Sequence, residues 1–138
     1  MRFIASVVVS GLVTLAAAVG PASAQEDTFF KGKEVTLSIG FGPGGGYDTY
    51  GRLFARHFGH FLPGNPNVVP KNAPGAGSMK LANEIYNVAR KDGTELALFA
   101  ASTALEPLFG TAEAKYETTK YTWIGNMASD ISGCGVWK

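Results

Sequence analysis

Hydrophobic residues recur along the chain with two different periods. Residues 34–39 (Glu34-Val35-Thr36-Leu37-Ser38-Ile39) alternate polar and apolar side chains, several of them β-branched, which predicts a first strand. Residues 67–69 are β-branched and predict a short second strand. Residues 95–99 are almost wholly apolar after Glu95, which is typical of a parallel strand covered on both faces.

Two helices are predicted between these strands. From about Tyr50, apolar residues follow the i, i+4, i+7, i+8 spacing of an amphipathic helix that Pro63 ends. Its predicted core face consists of Leu53, Phe54, Phe58, Phe61 and Leu62. The second helix follows Ser78, which is suited to the N-cap, and ends at Asp92-Gly93. Its apolar face consists of Leu81, Ala82, Ile85 and Ala89.

This order of strands and helices predicts an α/β fold with a mostly parallel sheet flanked by helices. Residues 122–124 and 134–137 are further strand candidates, and the second of these runs into the end of the sequence. Chains of this class usually close the sheet with another helix. We therefore expect the sequence to be truncated or its reading frame to be incomplete.

The first residues have the three parts of a secretory signal peptide. Arg2 supplies a positive charge, residues 3–19 form an apolar run, and Ala22-Ser23-Ala24 provides small residues at a cleavage site. We expect residues 1–24 to be cleaved before Gln25 and residues 25–138 to be exported to the periplasm. The apolar run is short for a membrane anchor, and no later run is long enough to span a bilayer.

Composition and charge exclude several classes of protein. The 138 residues are 46% hydrophobic and 17% charged, as in a globular domain. The formal net charge is +1, and the two signs balance without Arg2, so a nucleic-acid binder's basic excess is missing. The single cysteine, Cys134, excludes an internal disulfide and a cysteine-rich zinc site. It leaves open a bridge to a residue beyond this chain.

Glycine occupies six of the twelve positions from Gly40 to Gly51, too many for regular structure. This segment follows a predicted strand and precedes a predicted helix. Ligands of open α/β sheets bind beyond the carboxyl ends of the strands, where exposed amides and a helix dipole attract anions. The segment therefore predicts an anion-binding loop.

A nucleotide-dependent α/β enzyme is the alternative interpretation of this loop. Gly40-x-Gly42-x-x-Gly45 satisfies the dinucleotide fingerprint. The fingerprint also needs an acidic residue about 20 positions later, whereas the next acidic residue after Asp48 is Glu84. A P-loop would need Gly-Lys-Ser/Thr, which does not follow. We expect no cofactor, and the enzyme stays open as the alternative.

Charged residues follow the glycine segment. Asp48 is predicted to be the N-cap of a helix beginning near Thr49, with direct ligand contact as the less favoured role. One carboxylate can do both, since each of its oxygens accepts hydrogen bonds. Arg52 and Arg56 lie one turn apart and could add a positive field, although helical arginines are more often solvated or ion-paired.

The sequence contains no recognisable catalytic or metal-binding set. His57 and His60 lack the intervening glutamate of a metalloprotease and a third ligand, so we interpret them as surface or core histidines. No Gly-x-Ser-x-Gly elbow occurs. Cys134 lies in an apolar run that favours buried packing. We expect no metal and no enzymatic activity.

Several motifs occur together in one order along the chain. After the leader come Ile39-Gly40-Phe41-Gly42-Pro43-Gly44-Gly45-Gly46-Tyr47-Asp48, Asn72-Ala73-Pro74-Gly75-Ala76-Gly77, and Asp92-Gly93-Thr94-Glu95-Leu96. In this order they resemble the N-terminal part of the solute-binding receptors of tripartite tricarboxylate transporters, the Bug-type receptors. The resemblance covers essentially all of residues 25–138.

The resemblance implies a function in transport. It implies a monomeric periplasmic receptor of the type II binding-protein fold that closes over a small carboxylate and passes it to membrane permease subunits. The first binding loop would contain Phe41, Gly42, Pro43, Gly44, Gly45, Gly46 and Asp48. Ser102 and Thr103, after the third strand, would line the same cleft.

The chain also departs from this family. Its members are well over twice as long, so residues 25–138 would be the N-terminal part of the first lobe, without the second. Residues 121–127 differ from commoner members, so the ligand cannot be assumed to be citrate. A non-functional truncated receptor is therefore a further alternative.

Overall fold

A computed structural model describes residues 28–128. Three strands and two main helices follow one another: β1 (Glu34–Ile39), α1 (Gly46–Phe58), β2 (Asn67–Asn72), α2 (Met79–Asn87) and β3 (Glu95–Leu98). The predicted α/β fold with a parallel sheet flanked by helices is confirmed. The predicted leader at 1–24 and the strand candidate at 134–137 lie outside the described residues.

The three strands form one parallel sheet in the order β2-β1-β3. β1 is central, with Glu34 opposite Asn67 of β2 and Thr36 opposite Glu95 of β3. The crossovers from β1 to β2 and from β2 to β3 run in opposite directions across the sheet. Because such crossovers are right-handed, α1 and α2 cover opposite faces. Among residues 28–128, no helix is long and apolar enough to cross a membrane.

The core under α1 is built on alternate residues of β1. Val35, Leu37 and Ile39 are buried together with Ala55 of α1 and Val68 of β2. They share one face because successive strand side chains point to opposite sides. Phe54 and Phe58 pack against this cluster, which confirms their predicted place in the core.

Phe61 and Leu53 do not belong to the core, and their predicted placement was wrong. The buried face of α1 contains the small residues Gly51 and Ala55. A Cβ at Gly51 would come within 2.7 Å of Ile39 Cδ1, so this face has no room for larger side chains. Leu53 is half-exposed because it lies away from this face. Phe61 is 81% exposed. The helix tightens at Gly59–Phe61 into a 3₁₀ turn, whose three residues per turn rotate Phe61 off the apolar face.

The start of α1 corrects a second prediction. The helix begins at Gly46, and the N-cap is Gly45 with extended backbone rather than Asp48. Asp48 lies in the first turn, where a carboxylate interacts favourably with the helix dipole. The predicted start near Thr49 or Tyr50 was late because a run of glycines carries no propensity signal for a helix.

Two strand predictions also change. β2 extends to Asn72 and includes Pro70. Proline has no N–H to donate, and an edge strand tolerates it because one side of that strand has no neighbour that needs the donor. Residues 122–124 run beyond β3 without strand pairing.

Candidate functional site

The loops after β1 and β3 leave the same edge of the sheet. From β1 the chain crosses to β2 on one side, whereas β3 lies on the other side. A crevice forms at such a switch point, and ligands of open α/β sheets bind there. Gly46 and Tyr47 after β1 and Ser102 after β3 line one open groove.

The N-terminus of α1 presents free backbone amides. The first helical hydrogen bond joins Thr49 N–H to Gly45 O at 3.0 Å, and no side chain caps the helix. Within residues 28–128, the amides of Gly45, Gly46, Tyr47 and Asp48 meet no hydrogen-bond acceptor. Together with the positive end of the helix dipole, these amides form an environment that favours an anion.

Asp48 holds the loop in place. Its Oδ2 accepts the Gly44 N–H at 2.9 Å, and its Oδ1 accepts Arg52 Nε at 2.9 Å and Asn72 Nδ2 at 2.8 Å. The residue is 5% exposed. The hydrogen bond from Arg52, then those from Gly44 and Asn72, hold the pKa of this carboxyl far below its usual range. Asp48 is therefore ionised and paired, so its charge is offset beside the free amides.

Asn72 joins the glycine loop to β2. Its Nδ2 also donates to Phe41 O at 2.9 Å, and its Oδ1 accepts Arg52 Nη2 at 2.8 Å. The sequence reasoning did not assign Asn72 to the site. The available signal was its place at the start of the Asn72-Ala73-Pro74-Gly75-Ala76-Gly77 motif, soon after the second predicted strand.

The middle of the loop is exposed and spanned by an aromatic pair. The rings of Phe41 and Tyr47 stack with their centroids 4.1 Å apart. Between them, Gly44 has a φ of +86°, which only glycine adopts without strain. Of the remaining predicted loop residues, Pro43, Gly45 and Gly46 are exposed and Gly42 is partly exposed.

The structure separates the two predicted hydroxyl residues after β3. Ser102 is exposed and lines the groove. Thr103 is 2% exposed, its Oγ1 is 3.0 Å from Ser78 Oγ, and its carbonyl oxygen accepts Tyr116 O–H at 2.7 Å. Thr103 therefore stabilises the loop from inside, and Ser102 is the hydroxyl that faces the groove.

Ser78 connects the loops at the crevice, which the sequence reasoning missed. It lies at the N-cap of α2 as predicted, but its side chain does not cap that helix. The buried Ser78 Oγ instead accepts the Ala100 N–H at 2.9 Å. The backbone is left-handed at Ala76, Gly77 and Ser78, a conformation that costs about 1–3 kcal/mol at a non-glycine residue. No local pattern in the sequence indicates this long-range role.

The arrangement can bind an anion through main-chain amides held by a polar network. Among the described residues, no cluster of histidine, cysteine, aspartate or glutamate could hold a metal ion. Comparison with protein-family models, curated proteins and solved structures gives no match.

Proposed function

We propose that this chain is the N-terminal part of a periplasmic solute-binding receptor of the tripartite tricarboxylate transporter type. In this proposal it has the first lobe of a type II binding-protein fold, captures a small carboxylate and delivers it to the permease subunits. The observation that carries the proposal is the set of free amides from Gly45 to Asp48 beside the β1/β3 crevice.

The chemistry of these amides matches a carboxylate. An ionised carboxylate only accepts hydrogen bonds, and its two oxygens can take several donors. Each bond to a charged group contributes about 1.5–3 kcal/mol. Because Asp48 is already paired with Arg52, its repulsion of a second anion is reduced.

The strand order favours this proposal over an enzyme that uses the loop to bind a dinucleotide. In the dinucleotide-binding fold, the third strand lies beyond the second, on the same side of the first. Here β3 lies on the opposite side of β1 from β2. Gly40-x-Gly42-x-x-Gly45 thus occurs in a sheet whose order differs from the one that this fingerprint normally accompanies.

We expect a small carboxylate to stabilise the secreted chain against heat. At a hundred times its Kd, a ligand that binds only the folded state adds about 2.7 kcal/mol of stability, which raises Tm by several degrees. Thermal unfolding with a panel of mono-, di- and tricarboxylates, followed by calorimetry on the best, measures this effect. Stabilisation by ATP or NAD alone, with none by any carboxylate, would contradict the proposal.

The variant Gly45→Val is expected to lose carboxylate affinity about tenfold or more and still fold. The backbone of Gly45 is unstrained, with a φ of −85°, and a Cβ there would have no atom within 4 Å. The cost to folding is then a weaker N-cap, about 1 kcal/mol. The isopropyl group would instead cover the amides of Gly46 and Tyr47.

Calorimetry with the best carboxylate from the panel compares Gly45→Val with Ala112→Val, which also places a valine at an exposed position, away from the groove. Ala112→Val should bind like the unaltered chain. Equal affinity in both variants would place the carboxylate elsewhere.

A further inference from the structure

A second pocket lies between α1 and the edge strand β2. Its volume is about 550 Å³, within the range of small-molecule sites. On the helix side it is lined by Arg52 and Arg56, one turn apart on α1, and by His60 of the 3₁₀ turn that follows. Asn65 and Asn67 line the other side. None of the amides from Gly45 to Asp48 lines this pocket, so it is separate from the crevice.

Arg56 brings a positive charge to this pocket that no acidic side chain within residues 28–128 balances, whereas the charge of Arg52 is paired with Asp48. In the described part of the chain, no aspartate or glutamate lines it, and the side chains of Arg56 and His60 make no hydrogen bond or ion pair. Arg52 uses Nε and one Nη2 N–H on Asp48 and Asn72, which leaves other donors of its 43% exposed side chain free. A bound anion would give the Arg56 charge a partner and would use the donors that Arg52 has left.

We propose that this anion pocket binds a small molecule that carries two carboxylate or phosphate groups. A guanidinium group pairs in bidentate fashion with either type of group. Arg52 and Arg56 are four residues apart, a rise of about 6 Å along the helix, so each can hold one group of the same ligand. Asn65 and Asn67 supply amide donors on the opposite wall.

Arg52 gives this pocket a connection to the glycine loop. The same guanidinium that lines the pocket holds Asp48 and Asn72, which in turn hold Gly44 and Phe41.

The second site does not depend on the proposed receptor function, because its donors are side chains and the crevice uses main-chain amides.

NMR titration of the full ¹⁵N-labelled chain tests the proposal with pyrophosphate, succinate and inorganic phosphate as probes. We expect saturable shifts of the Arg52 and Arg56 Nε–H signals, with at least tenfold weaker binding in Arg56→Gln. Tighter binding of pyrophosphate than of succinate would identify a phosphate ligand, and the reverse a dicarboxylate. Inorganic phosphate, with one group, should bind more weakly than the better of these two.

The controls separate a specific site from a general effect of charge. Lys115→Gln removes the same charge at an exposed position outside the pocket and should bind the probes like the unaltered chain. His60→Gln, also at an exposed position, provides a second pocket variant and should weaken binding several-fold. Thermal unfolding verifies that each variant folds. Unsaturable shifts, or equal weakening by Arg56→Gln and Lys115→Gln, would overturn the proposal whether or not the crevice binds a carboxylate.

Discussion

Replacing Gly40 with alanine is expected to destabilise the chain by about 3 kcal/mol, at the upper end of the cost of overpacking a core. The added Cβ would overlap Ser78 Cβ and would lie 3.1 Å from Ser78 Cα. Neither atom is the flexible end of a long side chain, so the backbone of β1 or of the Ser78 turn must shift. Urea unfolding measures the loss.

A double variant tests whether this contact is the cause. Ser78→Gly removes the overlapping Cβ and relaxes a φ of +76°, at the cost of the Ser78 hydroxyl bonds. Gly40→Ala should therefore cost far less in the Ser78→Gly background, with a coupling of about 2 kcal/mol. Gly42→Ala, where a Cβ would have no atom within 4 Å, is the stability control. Simple additivity of the two substitutions would show that the overlap is not the reason.

The largest effect of pH is expected from Asp48. Arg52, Gly44 and Asn72 lower the pKa of its carboxyl in the folded chain, so folding favours the ionised form. This stability is fully present above the pKa of an unfolded aspartate, about 3.9, and is lost as pH falls below that value. We expect Asp48→Asn to be less stable at neutral pH and to lose less stability on acidification. Urea unfolding between about pH 6 and pH 2 measures both curves.

Asp92→Asn is the matched control, because hydrogen bonds from Thr94 also lower the pKa of the Asp92 carboxyl, away from the glycine loop. Acidification should move the NMR signal of the Gly44 amide in the unaltered chain and in Asp92→Asn, but not in Asp48→Asn. An acid-dependent Gly44 signal in all three proteins would contradict the assigned role of Asp48.

The elements of the fold could be predicted because their signals are local. The alternation in β1 and the helical spacing of Phe54 and Phe58 each need only neighbouring residues. The order of these elements then led to a parallel sheet, since strands separated by helices form right-handed crossovers. The glycine-rich segment after β1 also indicated an irregular loop between the first strand and the first helix.

The roles of individual site residues could not be predicted in the same way. Ser102 and Thr103 are adjacent hydroxyl residues, and only the contact between Thr103 and Ser78, 25 positions apart, decides which one faces inward. Asp48 was assigned to the cap because aspartate favours that position. Its partner Asn72 is 24 positions away on another strand and gives no local signal. Arg52 pairs with Asp48 at the i, i+4 spacing of a helix, but its second partner, Asn72, lies 20 positions away and gives no local signal.

The sequence by itself determined the strands, the two helices and the glycine loop, because backbone preferences and hydrophobic periodicity act between near neighbours. The tertiary structure alone decided that Gly40 must lack a side chain, that Asp48 is buried in a network, and that Arg52 and Arg56 share a pocket. These properties depend on which strands lie side by side. Parallel strands are joined only after long crossovers, so the groups that meet at their ends are far apart in the chain.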